Sequence, residues 1–154
     1  MLKKLIDTTN DKGALIARVT LGVVMFPHGA QKVFGWFGGH GLSATLETFT
    51  AKMGIPAPLA LAAIAAESLG ALALILGIGG RVAAFGIGVT MAVAGTMHLD
   101  NGFFMNWFGQ QAGEGYEYHL LAIGLAAAVI ARGSGAFSLD RLLAPRFGAS
   151  EVTS

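Results

Sequence analysis

Residues 58–77 read PLALAAIAAESLGALALILG, and this stretch decides the fold. Apart from Glu67 and Ser68 it is apolar throughout, and it has the length of about 20 residues that a helix needs to cross a bilayer core. Alanine and leucine dominate it, and it lacks the alternation of a barrel strand. Glu67 sits near its middle. A carboxylate there costs about 2.5–3.5 kcal/mol on insertion scales, so it is expected to face a protein interior and to find a partner. From mid-span it is roughly 15 Å from either end, too far for the side chain to reach water.

The rest of the chain agrees with this reading. Of the 154 residues, 54% are hydrophobic and only 12% charged, with a mean hydropathy of +0.64. That composition is outside the range of ordinary soluble domains and predicts a single-domain integral membrane protein in contact with the lipid bilayer. A net charge of +1 gives no reason to expect nucleic acid as a partner. The chain has no cysteine, which excludes thiolate catalysis, disulfide relay and thiolate metal binding.

Four segments approach spanning length: 14–34, 58–77, 81–99 and 115–131. The expected fold is all-α, a polytopic membrane protein built as a four-transmembrane-helix bundle, with 132–154 as a cytoplasmic tail. Lys3 and Lys4 before the first apolar run resemble the start of a signal peptide, but no small-x-small cleavage site follows before Pro27 and His28. An uncleaved span is expected. With four spans the termini share a side, and that side carries Lys3, Lys4, Lys12, Arg18, Arg81, Arg132, Arg141 and Arg146, against Lys32 and Lys52 opposite. The positive-inside rule then predicts cytoplasmic termini in a bacterial inner membrane. All four histidines, His28, His40, His98 and His119, fall toward the outer face with Trp36 and Trp107.

The connections are unequal. Gly77, Gly79 and Gly80 make a tight turn between the middle spans, whereas both outer connections are long. In the first outer loop Ser43 is placed to cap a short interfacial helix with Leu42, Leu46, Phe49 and Met53 on one face, ended by Gly54 and Pro56. The second holds Phe103, Phe104, Met105, Trp107 and Phe108, and is expected to fold back as a lid or dip into the membrane.

Small residues at helical spacing predict the packed faces. The first span offers Arg18, Gly22, Met25, Gly29 and Lys32, the second Ala63, Glu67, Gly70, Leu74 and Gly77. The third offers Ala84, Gly88, Met91, Gly95 and His98, the fourth Glu117, Leu121, Gly124 and Ala128. Each polar residue also has a plainer reading. Arg18 and Lys32 also read as long chains snorkelling to opposite interfaces, and Glu67 as a neutral carboxyl bonded to a neighbouring helix. His98 and His119 read as interfacial histidines, His40 as a solvated one, and no metal motif is present.

The segment RVTLGVVMFPHGAQK of Arg18 to Lys32, the ESLGALALILGIGGR stretch of Glu67 to Arg81, His98, GEGYEYHLL of Gly113 to Leu121 and SLDRLL of Ser138 to Leu143 together resemble the DoxX family. The resemblance implies a small four-helix bacterial inner-membrane protein associated with redox, sulfur or quinone-stress partners. It carries the family's polar pattern onto Arg18, Lys32, Glu67, Arg81, His98 and Glu117.

On this reading the outer half of the bundle is a pocket for a quinone or quinone-like molecule. Arg18, His28, Lys32, Glu67, His98, Glu117 and His119 form the ligand-binding or buried polar network, and Phe103, Phe104 and Trp107 the cover. Lys32, His28 or His98 would donate hydrogen bonds, and Glu67 or Glu117 would accept protons. No haem, flavin or nucleotide motif is present, so electrons would come from a partner oxidoreductase subunit or from the substrate. The alternatives are a non-catalytic scaffold subunit for a partner oxidoreductase and a small-solute transporter with Glu67 as its gate or proton-coupling group; the partner is an oxidoreductase subunit or a second copy of the chain.

Overall fold

A computed structural model of the chain describes residues 5–147. Lys3 and Lys4 of the charge count, and the end of the tail from 148 on, lie outside the described residues. Among the described residues all regular structure is helical. Helix α1 spans Lys12–Phe34 and runs on through Pro27. Asp11 caps it, its Oδ1 accepting from the amides of Gly13 at 2.7 Å and Ala14 at 3.2 Å, which satisfies donors that have no partner inside the helix. Gly35, at φ 71°, ends it in the left-handed conformation that favours glycine.

The short helix of the first long loop is α2, Gly41–Glu47, continued by a π-helical turn Thr48–Lys52. It starts earlier than expected. His40 occupies the capping position without a side-chain bond, and Ser43 lies inside the helix, because the turn through Gly38 and Gly41, both at positive φ, begins it before the serine is reached.

Helix α3, Ala57–Leu76, opens on prolines at its first turn and carries a π-helical turn at Ala66–Gly70. The turn through Gly77 and Gly79, at φ 69° and 59°, leads directly into α4, Gly80–Thr96. Helix α5 is Glu117–Arg132, and α6, Leu139–Leu143, folds back onto the turn between α3 and α4 before a 3-10 turn at Ala144–Phe147. Helices α1 and α3 are long and apolar enough to cross a membrane. The 17 residues of α4 and the 16 of α5 reach only about 25 Å at the helical rise, short of the roughly 30 Å hydrocarbon core.

The four long helices share one core, in which Leu21 and Met25 of α1 meet Leu74 of α3, Ile87 and Met91 of α4, and Ala126 and Val129 of α5. Glycines set the spacing. A Cβ on Gly22 would press on the Ala71 carbonyl at 2.9 Å, and one on Gly88 would lie 3.3 Å from Ala126 Cβ. Neighbouring helices therefore pack almost backbone to backbone, as association in lipid favours. Outside this core the flanks are bare and apolar, with Leu69 68% exposed and Phe85 63% exposed. Apolar surface so extensive marks a face covered by lipid or protein.

One predicted face is corrected. On α5 the buried side chains are His119, Ala122, Ala126 and Val129, while Leu121 is 70% exposed and Gly124 and Ala128 lie outward. Small residues surround this helix, so its composition leaves the rotation open. Gly95 of α4 decides it, making room for the His119 ring, whose Cβ would lie 3.3 Å from a Cβ at that glycine.

Candidate functional site

Lys32 and Glu67 form an ion pair inside the helix cluster. The Glu67 side chain is 5% exposed and that of Lys32 22%, so the carboxylate is shut in while the ammonium retains an opening. Glu67 Oε2 makes no hydrogen bond of regular geometry and is in direct contact with the Lys32 ammonium instead. Two features of the backbone make the pair. Gly29, one turn before Lys32, lies so close to α3 that a Cβ there would overlap the Glu67 carbonyl and the Ser68 Cα. Glu67 itself sits in the π-helical turn Ala66–Gly70, where Ser68 Oγ donates to the Ile64 carbonyl four residues back at 2.7 Å. Such turns swell a helix locally and recur at functional sites.

From this pair a row of rings runs toward the end bearing the long loops. His28, one turn from Lys32 on α1, lies 5.8 Å from the Tyr118 ring. Tyr118 meets His119 edge to face at 5.6 Å, and His119 stacks on His98 at 4.8 Å. Among the described residues the Tyr118 hydroxyl finds the Met25 sulfur, at 3.2 Å, which is a weak acceptor. His119 is 8% exposed and its Nδ1 has no partner among the described residues. At the end of the row His98 Nδ1 lies 2.9 Å from the Glu114 carbonyl.

Glu117 is not part of this interior. It accepts from Trp107 Nε1 at 3.2 Å, at the edge of the second long loop. The expected aromatic cover is corrected in the same place, since Trp107 is 78% and Phe104 67% exposed, and Phe103 packs edge to face on Phe104 and Tyr116 rather than over the row of rings. Polar ties hold the loop in a turn of its own. Glu114 Oε2 accepts the Asn106 amide at 2.8 Å, and Asn106 and Gln111 exchange bonds at 3.0 and 3.1 Å.

Arg18 belongs to a second network at the opposite end. Its guanidinium is 1% exposed and donates to five backbone carbonyls, those of Leu74, Ile75, Ser134, Ala136 and Phe137, at 2.6–3.2 Å. Two of these lie in the last turn of α3, where carbonyls have no intrahelical partner. Asp140 is equally buried and accepts from the Gly79 and Gly80 amides at 2.8 and 3.1 Å and from Ser134 Oγ at 2.5 Å. It caps α4 from a distant part of the chain. Arg18 and Asp140 thus staple residues 134–140 to the turn between α3 and α4.

Of the residues singled out from sequence, the structure brings together Lys32 and Glu67 with His28, and continues through His119 to His98. It sets Glu117 and Arg18 apart. Sequence reasoning missed Tyr118 and Asp140. Tyr118 had a signal in its place beside His119, and Asp140 in being an isolated carboxylate after Ser138 at capping spacing.

Exposed apolar flanks around ionisable side chains shut inside an all-helical core define a membrane protein. The chain belongs to the DoxX family, whose model, described as DoxX, matches residues 13–100. The match takes in α1, α3 and α4, and so Arg18, His28, Lys32, Glu67 and His98, and ends before α5. No curated protein and no solved structure matches the chain.

Proposed function

We propose that this chain is a multi-pass inner-membrane protein whose four long helices all cross the bilayer as one domain, with both termini cytoplasmic. In this reading it is a redox-associated subunit that binds a quinone or a quinone-like phenol beside Lys32 and Glu67. The observation that carries it is the interior set of hydrogen-bonding groups left incomplete among the described residues: a partly open ammonium on Lys32, an Nδ1 of His119 without a partner, and a Tyr118 hydroxyl held by sulfur. Buried polar groups without partners are rare and costly, and a ligand bearing carbonyl or hydroxyl oxygens would satisfy these. Lys32 would orient such an oxygen, and Glu67 would hold or give up a proton next to it. The quinone supplies the electron-accepting ring when bound, and the electrons come from a partner oxidoreductase, since the chain carries no electron-transfer motif of its own.

A second reading has one observation in its favour. The close fit of Gly29 on the Glu67 backbone makes the ion pair a wedge that sets the register of two helices, as a scaffold subunit would need. Extraction of the protein in mild detergent separates the two. Quinone content of the purified protein is expected to be near stoichiometric and to fall at least about tenfold in Lys32→Met and Glu67→Gln, with the helical circular dichroism unchanged. Native protein free of quinone, or variants that retain it fully, would defeat the binding reading. Loss of a co-purifying protein in the same variants would favour the scaffold.

A further inference from the structure

Residues 7–13 lie over the ends of α4 and α5 and wall a cleft of about 710 Å³ at the Arg18 end of the molecule, away from the Lys32–Glu67 pair. Lys12, Arg81 and Arg132 line it together with Asp7 and Asp11. Asp11 caps α1 with Oδ1 and pairs through Oδ2 with Arg132 Nη1 at 3.1 Å, which leaves Lys12 and Arg81 against Asp7, a surplus of one positive charge in the cleft. At the rim Arg141 Nη1 donates to Asn10 Oδ1 at 2.6 Å. Among the described residues Arg81 is held by backbone carbonyls. Its Nη1 donates to the carbonyls of Ile130 and Ala131 and its Nη2 to that of Asp7, which fixes the guanidinium where the segment before α1 meets the ends of α4 and α5.

We propose that this cleft receives the phosphate headgroup of an anionic phospholipid. The surplus of cationic side chains calls for an acceptor-only oxygen group, which phosphate provides. The surroundings select a lipid over a free anion. Phe85 follows Arg81 by one helical turn on the same side of α4 and is 63% exposed, Val82 is 55% exposed, and Ile130 of α5 is 36% exposed. Acyl chains would lie along that apolar wall while the headgroup sits above it, at the level where basic side chains meet a bilayer surface. Free phosphate would make no use of the wall.

The test is retention of short-chain phosphatidylglycerol against phosphatidylcholine by the purified full chain, followed by native mass spectrometry. The anionic lipid is expected to be held at least about tenfold more tightly. Arg132→Gln and Lys12→Gln, exposed side chains whose loss leaves the core intact, should each weaken it about fivefold. Lys52→Gln, at the far end, should not change it. Equal retention of the two lipids, or unchanged retention in both cleft variants, overturns the proposal. So does full displacement of phosphatidylglycerol by inorganic phosphate at equal concentration, which would assign a free-anion site instead.

Discussion

Gly29 and Glu67 touch backbone to backbone, and the missing side chain of the one places the carboxylate of the other on Lys32. A Cβ at Gly29 would occupy the space of the Glu67 carbonyl and the Ser68 Cα. The contact, the π-helical turn and the ion pair are therefore one feature. None of the three can shift without the others.

Gly29→Ala is expected to push α1 off α3. Overpacking of this kind costs about 1–3 kcal/mol and should appear as a lower midpoint of thermal unfolding in detergent. Gly124→Ala, where a Cβ meets nothing within 4 Å, is the control and should be neutral or slightly stabilising. Equal effects of the two would mean that the helices do not approach as described.

The ion pair should reveal itself as coupling. Lys32→Met alone leaves the Glu67 carboxylate in the interior without its base, and removal of one partner of a buried pair costs about 3–5 kcal/mol. Adding Glu67→Leu should recover a good part of that loss, so a double-mutant cycle on urea or thermal unfolding should give a coupling above about 1 kcal/mol. Strict additivity would show that the two side chains do not interact in the folded protein.

Arg18→Lys keeps the charge and loses the fork. A lysine ammonium has three donors on a flexible stem and cannot reach five carbonyls spread over two segments. The expected loss is about 3 kcal/mol or more, from several charge-assisted bonds at once. Hydrogen exchange should quicken first in residues 134–140, which the guanidinium holds against the turn between α3 and α4. Asp140→Ala should loosen the same region by about 1–2 kcal/mol, the usual cost of a lost helix cap.

The rotation of α5 can be read with single cysteines, since the chain has none of its own. A nitroxide on Leu121→Cys or Ala128→Cys should be relaxed strongly by dissolved oxygen, as expected on a lipid-facing flank. One on Val129→Cys, a position fully buried, should be shielded. The opposite ranking would restore the face on which Glu117, Leu121, Gly124 and Ala128 point inward.

The site was legible in part. Glu67 announced its need for a partner because a carboxylate amid leucine and alanine has no other way to be accommodated. Which base would meet it was open between helices, since spacing along a chain says nothing about contact across it. The aromatic loop misled for a related reason: its apolar content suggested a cover, yet the bonds of Asn106 to Glu114 and Gln111 hold Trp107 and Phe108 outward.

Sequence alone determined where the helices lie and which residues are costly in a membrane, because hydropathy and turn chemistry act along the chain and are written in consecutive residues. Azimuth and partners were decided by the tertiary structure. Gly95 turned His119 inward on a helix whose small residues allowed any rotation, five carbonyls rather than a carboxylate took Arg18, and Asp140 capped a helix begun sixty residues earlier. Close packing between helices is a property of facing pairs, and no single strand of text states which pairs will face.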